Sequence, residues 1–174
     1  GDVHYVCINN CFFHRGMSYY SPGELRERQV KWLKQDLALT PKNMKVVLCY
    51  HIPFTFGNAP FSKAKPLTNA NEQGHYSSSR LSLLLSLLKP FKGGYELFCG
   101  HTHFACNHEI NYQGEDVMEH CHAAACGNIW QSNINICGTP NGYYVYSFVG
   151  TSISNCYYKG TFWDKSKQMT LFRA

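Results

Sequence analysis

Charge is scarce in this sequence: 16% of its 174 residues are Asp, Glu, Lys or Arg, and it contains no Cys-x-x-Cys pair, internal repeat or low-complexity tract. So little charge, beside 44% apolar and 15% aromatic residues, excludes a disordered tail and supplies a core for one domain or two small ones. Long apolar runs are missing too. The longest, Leu81 to Leu88, is broken by Ser82 and Ser86 and closed by Lys89-Pro90, well short of the roughly 18 residues a bilayer span needs, so no membrane span is expected. No basic, apolar leader opens the chain at Gly1-Asp2-Val3-His4, and the first residue is not Met, which leads us to expect a processed or excised chain. Sixteen Lys and Arg against eleven Asp and Glu give a formal charge of +5 and a pI near 8.7. That balance lacks the clustered basic stripe of a nucleic-acid binder, and no nucleic-acid partner is expected. The nine cysteines are odd in number and scattered. They indicate neither a zinc ribbon nor a compact disulfide framework, and they leave the compartment open.

The elements that are present alternate in the first hundred residues. Tyr5-Val6-Cys7-Ile8, Val46 to Tyr50 and Tyr95 to Cys99 are apolar runs too short for helices and predict buried strands. Between the first two, Ser21-Pro22-Gly23-Glu24 has the N-cap, first-turn proline and spaced glutamate of a helix start. The predicted helix presents Val30, Leu33 and Leu37 on one face and stops at Thr40-Pro41. Residues 54–77, rich in Pro, Gly, Asn and Ser, predict a long loop or lid, followed by a leucine-rich helix through Leu88. From Phe104 onward, short β-branched and aromatic runs predict an all-β region. It includes a hairpin of Tyr143 to Val149 with Ile153 to Tyr158 across Gly150-Thr151, and a last strand at Gln168 to Phe172.

Two predicted strands end on histidine: Val46 to Tyr50 runs into His51-Ile52-Pro53, and Tyr95 to Cys99 into Gly100-His101-Thr102-His103. In α/β sheets, ligand-binding groups gather beyond the carboxyl ends of strands, so both motifs are expected to open on one crevice. The glycine lets the backbone turn off the strand, and i, i+2 spacing brings both rings of the second motif to one side while Thr102 faces away. Imidazole is a common ligand of zinc, iron, manganese and nickel, which makes His51, His101 and His103 candidate metal ligands.

At these residues the chain resembles the calcineurin-like metallophosphoesterases, whose later motifs are a strand followed by a single His and then Gly-His-x-His. The helix containing Gln29 to Ala38 resembles the family's helix before the single-His strand. Glu119-His120, Cys126-Gly127-Asn128-Ile129-Trp130, Gly138 to Tyr143 and Tyr157 to Thr161 resemble the β-rich C-terminal domain of a bacterial subgroup. The resemblance implies an α/β fold: a partial calcineurin-like phosphoesterase layered sheet over residues 1–103, followed by a β-rich accessory domain over 104–174. It further implies phosphomonoester or phosphodiester hydrolysis of a small-molecule substrate at two divalent ions (manganese, iron or zinc), with His51 and His101 on one ion and His103 on the other. It favours an extracytoplasmic location.

The family's earlier motifs, D-x-H, G-D-x-x-D and G-N-H-[DE], do not stand where the pattern requires them. Asp2-Val3-His4 spells D-x-H but precedes its strand, and Asn107-His108-Glu109 follows Gly-His-x-His with Cys106 in the glycine position and reads as an alternating strand. The chain is therefore expected to begin just after G-N-H-[DE], to hold metal weakly or as a single ion, and to be inactive alone. A rival reading makes it a non-catalytic binding module that uses the lid and the aromatic β half. His120-Cys121-His122 reads as structural, since alternation separates the histidines from Cys121. A truncated sheet would expose an edge or a face, and self-association through it is expected.

Overall fold

The computed structural model describes residues 1–13, 20–22, 25–54, 78–103, 105–126, 135 and 138–167. Its centre is a mixed five-stranded sheet. β1 (Val3–Cys7), β4 (Lys45–Cys49), β5 (Tyr95–Cys99) and β7 (Glu115–Cys121) run parallel in that order, and β6 (Cys106–Tyr112) closes the far edge antiparallel to β7. Two further pairs stand outside it: β2 (Cys11–Phe13) with β3 (Tyr20–Pro22), and β8 (Gly142–Val149) with β9 (Ser152–Gly160). The helices are α1 (Glu27–Leu39) and α2 (Ser78–Leu88).

The central apolar run becomes a strand because both of its faces are covered. β4 is buried from Lys45 to Leu48, and its alternate residues Val46 and Leu48 join one core with Val6, Leu97 and Ile110. Into that core α1 sends Val30, Leu33 and Leu37, and α2 sends Leu81, Leu84, Leu85 and Leu88. Each such side chain contributes about 1.5–3 kcal/mol by leaving water. The opposite side chains of the strands meet the hairpin: Phe98 stacks on Tyr146 at 4.5 Å between centroids, and Tyr5 meets Phe148 edge-on at 6.2 Å.

One expectation needs correction. α1 does not start at the Ser21-Pro22 signal: those residues pair with β2, and the helix begins at Glu27 after Arg26, which makes no side-chain cap. Strand pairing there outcompetes the local capping pattern. β7 lies beside β5, so residues on both sides of position 103/104 share one sheet. The expected lid, apart from Phe54, and the expected last strand fall outside the described residues. Among the described residues, no helix is long and apolar enough to cross a membrane.

Candidate metal-ligand site at the carboxyl edge of the sheet

Backbone pairing continues past the strand ends and gathers the loops that follow. Ile8 N–H donates to Cys49 O (2.9 Å), Tyr50 N–H to Phe98 O (3.0 Å), Gly100 N–H to His51 O (3.0 Å) and His122 N–H to Cys99 O (2.8 Å). His51 is thereby fixed through its carbonyl by the loop after β5. It is fixed through its amide by Asn10, a wholly buried residue just beyond β1. Asn10 Oδ1 accepts from His51 N–H (3.1 Å) and Ile52 N–H (3.0 Å), while its Nδ2 donates to Ile52 O (2.6 Å).

A second buried side chain supports the same segment from below. Glu119 Oε1 accepts from Tyr50 O–H (2.5 Å) and from Phe54 N–H (2.7 Å), so residues 50–54 are held at both ends by a carboxylate from β7. Burial, followed by the charge of Glu119, pushes the Tyr50 phenol well above its ordinary pKa and keeps it a donor.

The predicted convergence is present for two of the three histidines at bonding distance. His51 Nε2 and His101 Nδ1 lie 3.1 Å apart, their rings edge to face with centroids 5.0 Å apart. His103 is near enough for its charge to act on His51, whose pKa is lowered by burial first and by His103 second, against an opposing influence from Cys121. The neutral imidazole so favoured is the ligand form.

The backbone that carries the second motif is strained, and at an unexpected place. Gly100 does not take the left-handed conformation, and a Cβ added there would meet nothing closer than His122 O at 3.9 Å. The turn falls on His101 (φ 71°), bridged by Thr102 N–H to Gly100 O at 2.8 Å, and again on His103 (φ 62°). That i to i+2 bond across a positive-φ residue is the rare, strained form of the three-residue turn. Such conformations cost about 1–3 kcal/mol and concentrate at functional sites. Thr102 faces the sheet, with its Oγ1 3.0 Å from Cys121 Sγ.

Other sequence candidates lie elsewhere. His4 pairs with Asp36 of α1 at 2.7 Å, so the D-x-H tripeptide belongs to a helix contact. Asn107-His108-Glu109 is the alternating strand β6, with His108 buried and its Nε2 3.1 Å from Cys106 Sγ. His120 faces Asn107 Oδ1 (2.9 Å) and Glu96 Oε2 (3.4 Å), and His122 Nε2 meets Tyr146 Oη at 2.8 Å. Asn10 and Glu119 are the positioning residues that motif reasoning missed. Only the resemblance singled out Glu119, and without a role.

The donor chemistry fits part of a metal centre. Two nitrogens 3.1 Å apart subtend about 95° at an ion about 2.1 Å from each, within the range of neighbouring ligands. Yet among the described residues no group of three or more His, Cys, Asp or Glu is arranged to hold a metal ion. The pair supplies two ligands and leaves the rest of the coordination sphere open.

Residues 119–174 match the family model of the C-terminal domain of calcineurin-like phosphoesterases. That match supports a calcineurin-like phosphoesterase C-terminal region over this segment. No curated protein and no solved structure matches the chain. The matched segment opens on the carboxylate that holds Tyr50 and Phe54, runs through His120 in β7 and His122 just beyond it, and continues into the β8–β9 hairpin. Its first residues, Glu119 to Cys121, belong to the sheet whose strand ends lead into His51 and His101.

Proposed function

We propose that this chain forms the C-terminal part of a metal-dependent phosphoesterase that hydrolyses phosphomonoesters or phosphodiesters of small molecules. The observation that carries the reading is the His51 to His101 contact on a strained loop, in the sheet that also contains the start of the phosphoesterase segment. In this reading the layered sheet of the phosphoesterase catalytic domain is represented by β1, β4 and β5 with the two helices. His51 and His101 hold one divalent ion and His103 a second, the metals being manganese, iron or zinc. Such ions, when bound, stabilise charge on phosphoryl oxygens. The chain's own part is to present neutral imidazoles: Asn10 and Gly100 fix His51, and the turn at His101 aims the second ring. Catalytic zinc sites use three protein ligands, so the carboxylates must come from a segment bearing D-x-H, G-D-x-x-D and G-N-H-[DE].

The test has two arms. Elemental mass spectrometry of the purified chain and its His101→Ala variant is expected to show weak, substoichiometric metal that the substitution abolishes. Supplying the motif-bearing segment is expected to produce hydrolysis of a chromogenic phosphoester that requires His101. No hydrolysis with any divalent metal would overturn the enzyme reading in favour of the non-catalytic binding module.

A further inference from the structure

Beside the carboxyl end of β1 a cavity of about 400 Å³ is lined by Asn9, Arg26, Arg28, Gln29 and Trp32. Its size falls in the range of small-molecule sites. Among the described residues, its lining brings together two guanidinium groups, two carboxamides and an indole. Trp32 is 46% exposed on α1, while the apolar face of that helix is carried by Val30, Leu33 and Leu37. The indole is therefore on the pocket side and outside the core. Arg28 and Trp32 are four residues apart and Gln29 and Trp32 three, the spacings that place helix side chains next to one another. Asn9 is fixed by accepting Cys11 N–H on its Oδ1 at 2.9 Å, which orients its amide.

From this lining we propose a binding site for a small anionic ligand that carries an aromatic ring, of the class of a nucleoside monophosphate. Planar guanidinium groups bond phosphate oxygens in pairs, and an exposed indole stacks on a planar ring. Asn9 and Gln29 add polar contacts to the oxygens or ring edge. The site is separate from the histidines and requires no metal, so the proposal stands independently of the phosphoesterase reading. Asn9 is followed in the chain by Asn10, which fixes His51.

Isothermal titration calorimetry of the full chain with adenosine monophosphate, adenosine and inorganic phosphate tests this. Adenosine monophosphate is expected to bind more tightly than either fragment. Arg28→Ala and Arg26→Ala are each expected to weaken it by about tenfold, the usual scale of a lost charged hydrogen bond. Trp32→Ala is expected to weaken adenosine monophosphate while leaving inorganic phosphate within about twofold, because stacking acts on the ring alone. His101→Ala is expected to leave all three affinities unchanged. All four positions are solvent-accessible to some degree, and thermal melts identify any variant that fails to fold; Arg28→Lys, which keeps charge and loses the fork, gives an intermediate affinity. Adenosine monophosphate binding no tighter than phosphate would overturn the proposal. So would insensitivity to Arg28 and Trp32 substitution, or loss of binding in His101→Ala.

Discussion

Replacing Asn10 by alanine removes one side chain that satisfies three backbone groups, and the size of the loss follows from where those groups lie. Ile52 is wholly buried, and both its N–H and its C=O depend on the Asn10 amide, at 3.0 and 2.6 Å. A buried polar group left without a partner costs about 1–3 kcal/mol. The His51 N–H, which is less buried, adds roughly 0.5–1.5 kcal/mol for its lost bond. Water entering the vacated space recovers part of this, leaving about 3 kcal/mol. For a chain of this size that corresponds to a fall in Tm of about 6–12 °C.

Urea unfolding at neutral pH, followed by far-UV circular dichroism, measures the loss. Asn10→Asp separates the roles of the two ends of the amide. It keeps the acceptor for both N–H groups but sets a carboxylate against Ile52 O, so its deficit is expected at neutral pH and to shrink on acidification, as the protonated acid donates to that carbonyl. A loss below about 1 kcal/mol in Asn10→Ala would refute the claim that Asn10 holds the His51 segment, because even one orphaned buried group costs that much.

Three further outcomes are expected. His122 has its pKa lowered from 6.5 to about 4, chiefly by burial and then by His120. The unfolded chain therefore binds more protons between these values, and stability falls by roughly 3 kcal/mol as pH drops from 7 to 4. His122→Gln should flatten that part of the urea-midpoint profile, and an unchanged profile would refute the assignment. His103→Gly, which relieves a positive φ without removing core packing, should leave stability unchanged or raise it by up to about 1 kcal/mol in the same assay. A larger fall would mean that the ring holds the loop in place. Among the described residues β1 ends the sheet order, and Tyr5 is 59% exposed, so we expect self-association through that edge in sedimentation velocity. A monomer at every concentration would count against it.

What the sequence disclosed, and what it hid, divides by range. β4 and β5 were legible because a short, mostly apolar run has few alternatives, and the α1 face because Val30, Leu33 and Leu37 repeat at the helical period. The β8–β9 hairpin was legible from Gly150, which takes the positive φ its turn requires. The start of α1 was misread because the local cap at Ser21 competes with pairing to Cys11 and Phe12, about ten residues away. The turn after β5 was misassigned to Gly100 because composition shows which residue bends cheaply, not which one the neighbouring strands force to bend. Asn10 and Glu119 act across 42 and 69 positions, respectively, at Ile52 and Tyr50, and no local pattern marks either.

Those two side chains also say how the segment that matches the phosphoesterase family model relates to the histidines. His51 is located by Asn10 from beyond β1, by the Gly100 amide from beyond β5, and by the Glu119 contacts from β7 on either side of it. Only the last of these lies in residues 119–174, but it holds both Tyr50 and Phe54. Without that segment, β5 would lose its pairing with the end of β7, and the buried Tyr50 hydroxyl and Phe54 amide would lose their acceptor. Phe98 would lose the stacked Tyr146 on the other face. The C-terminal region is thus part of the scaffold that sets the position of the first histidine, and substitutions at Glu119 should disturb the His51 to His101 geometry without touching either ring.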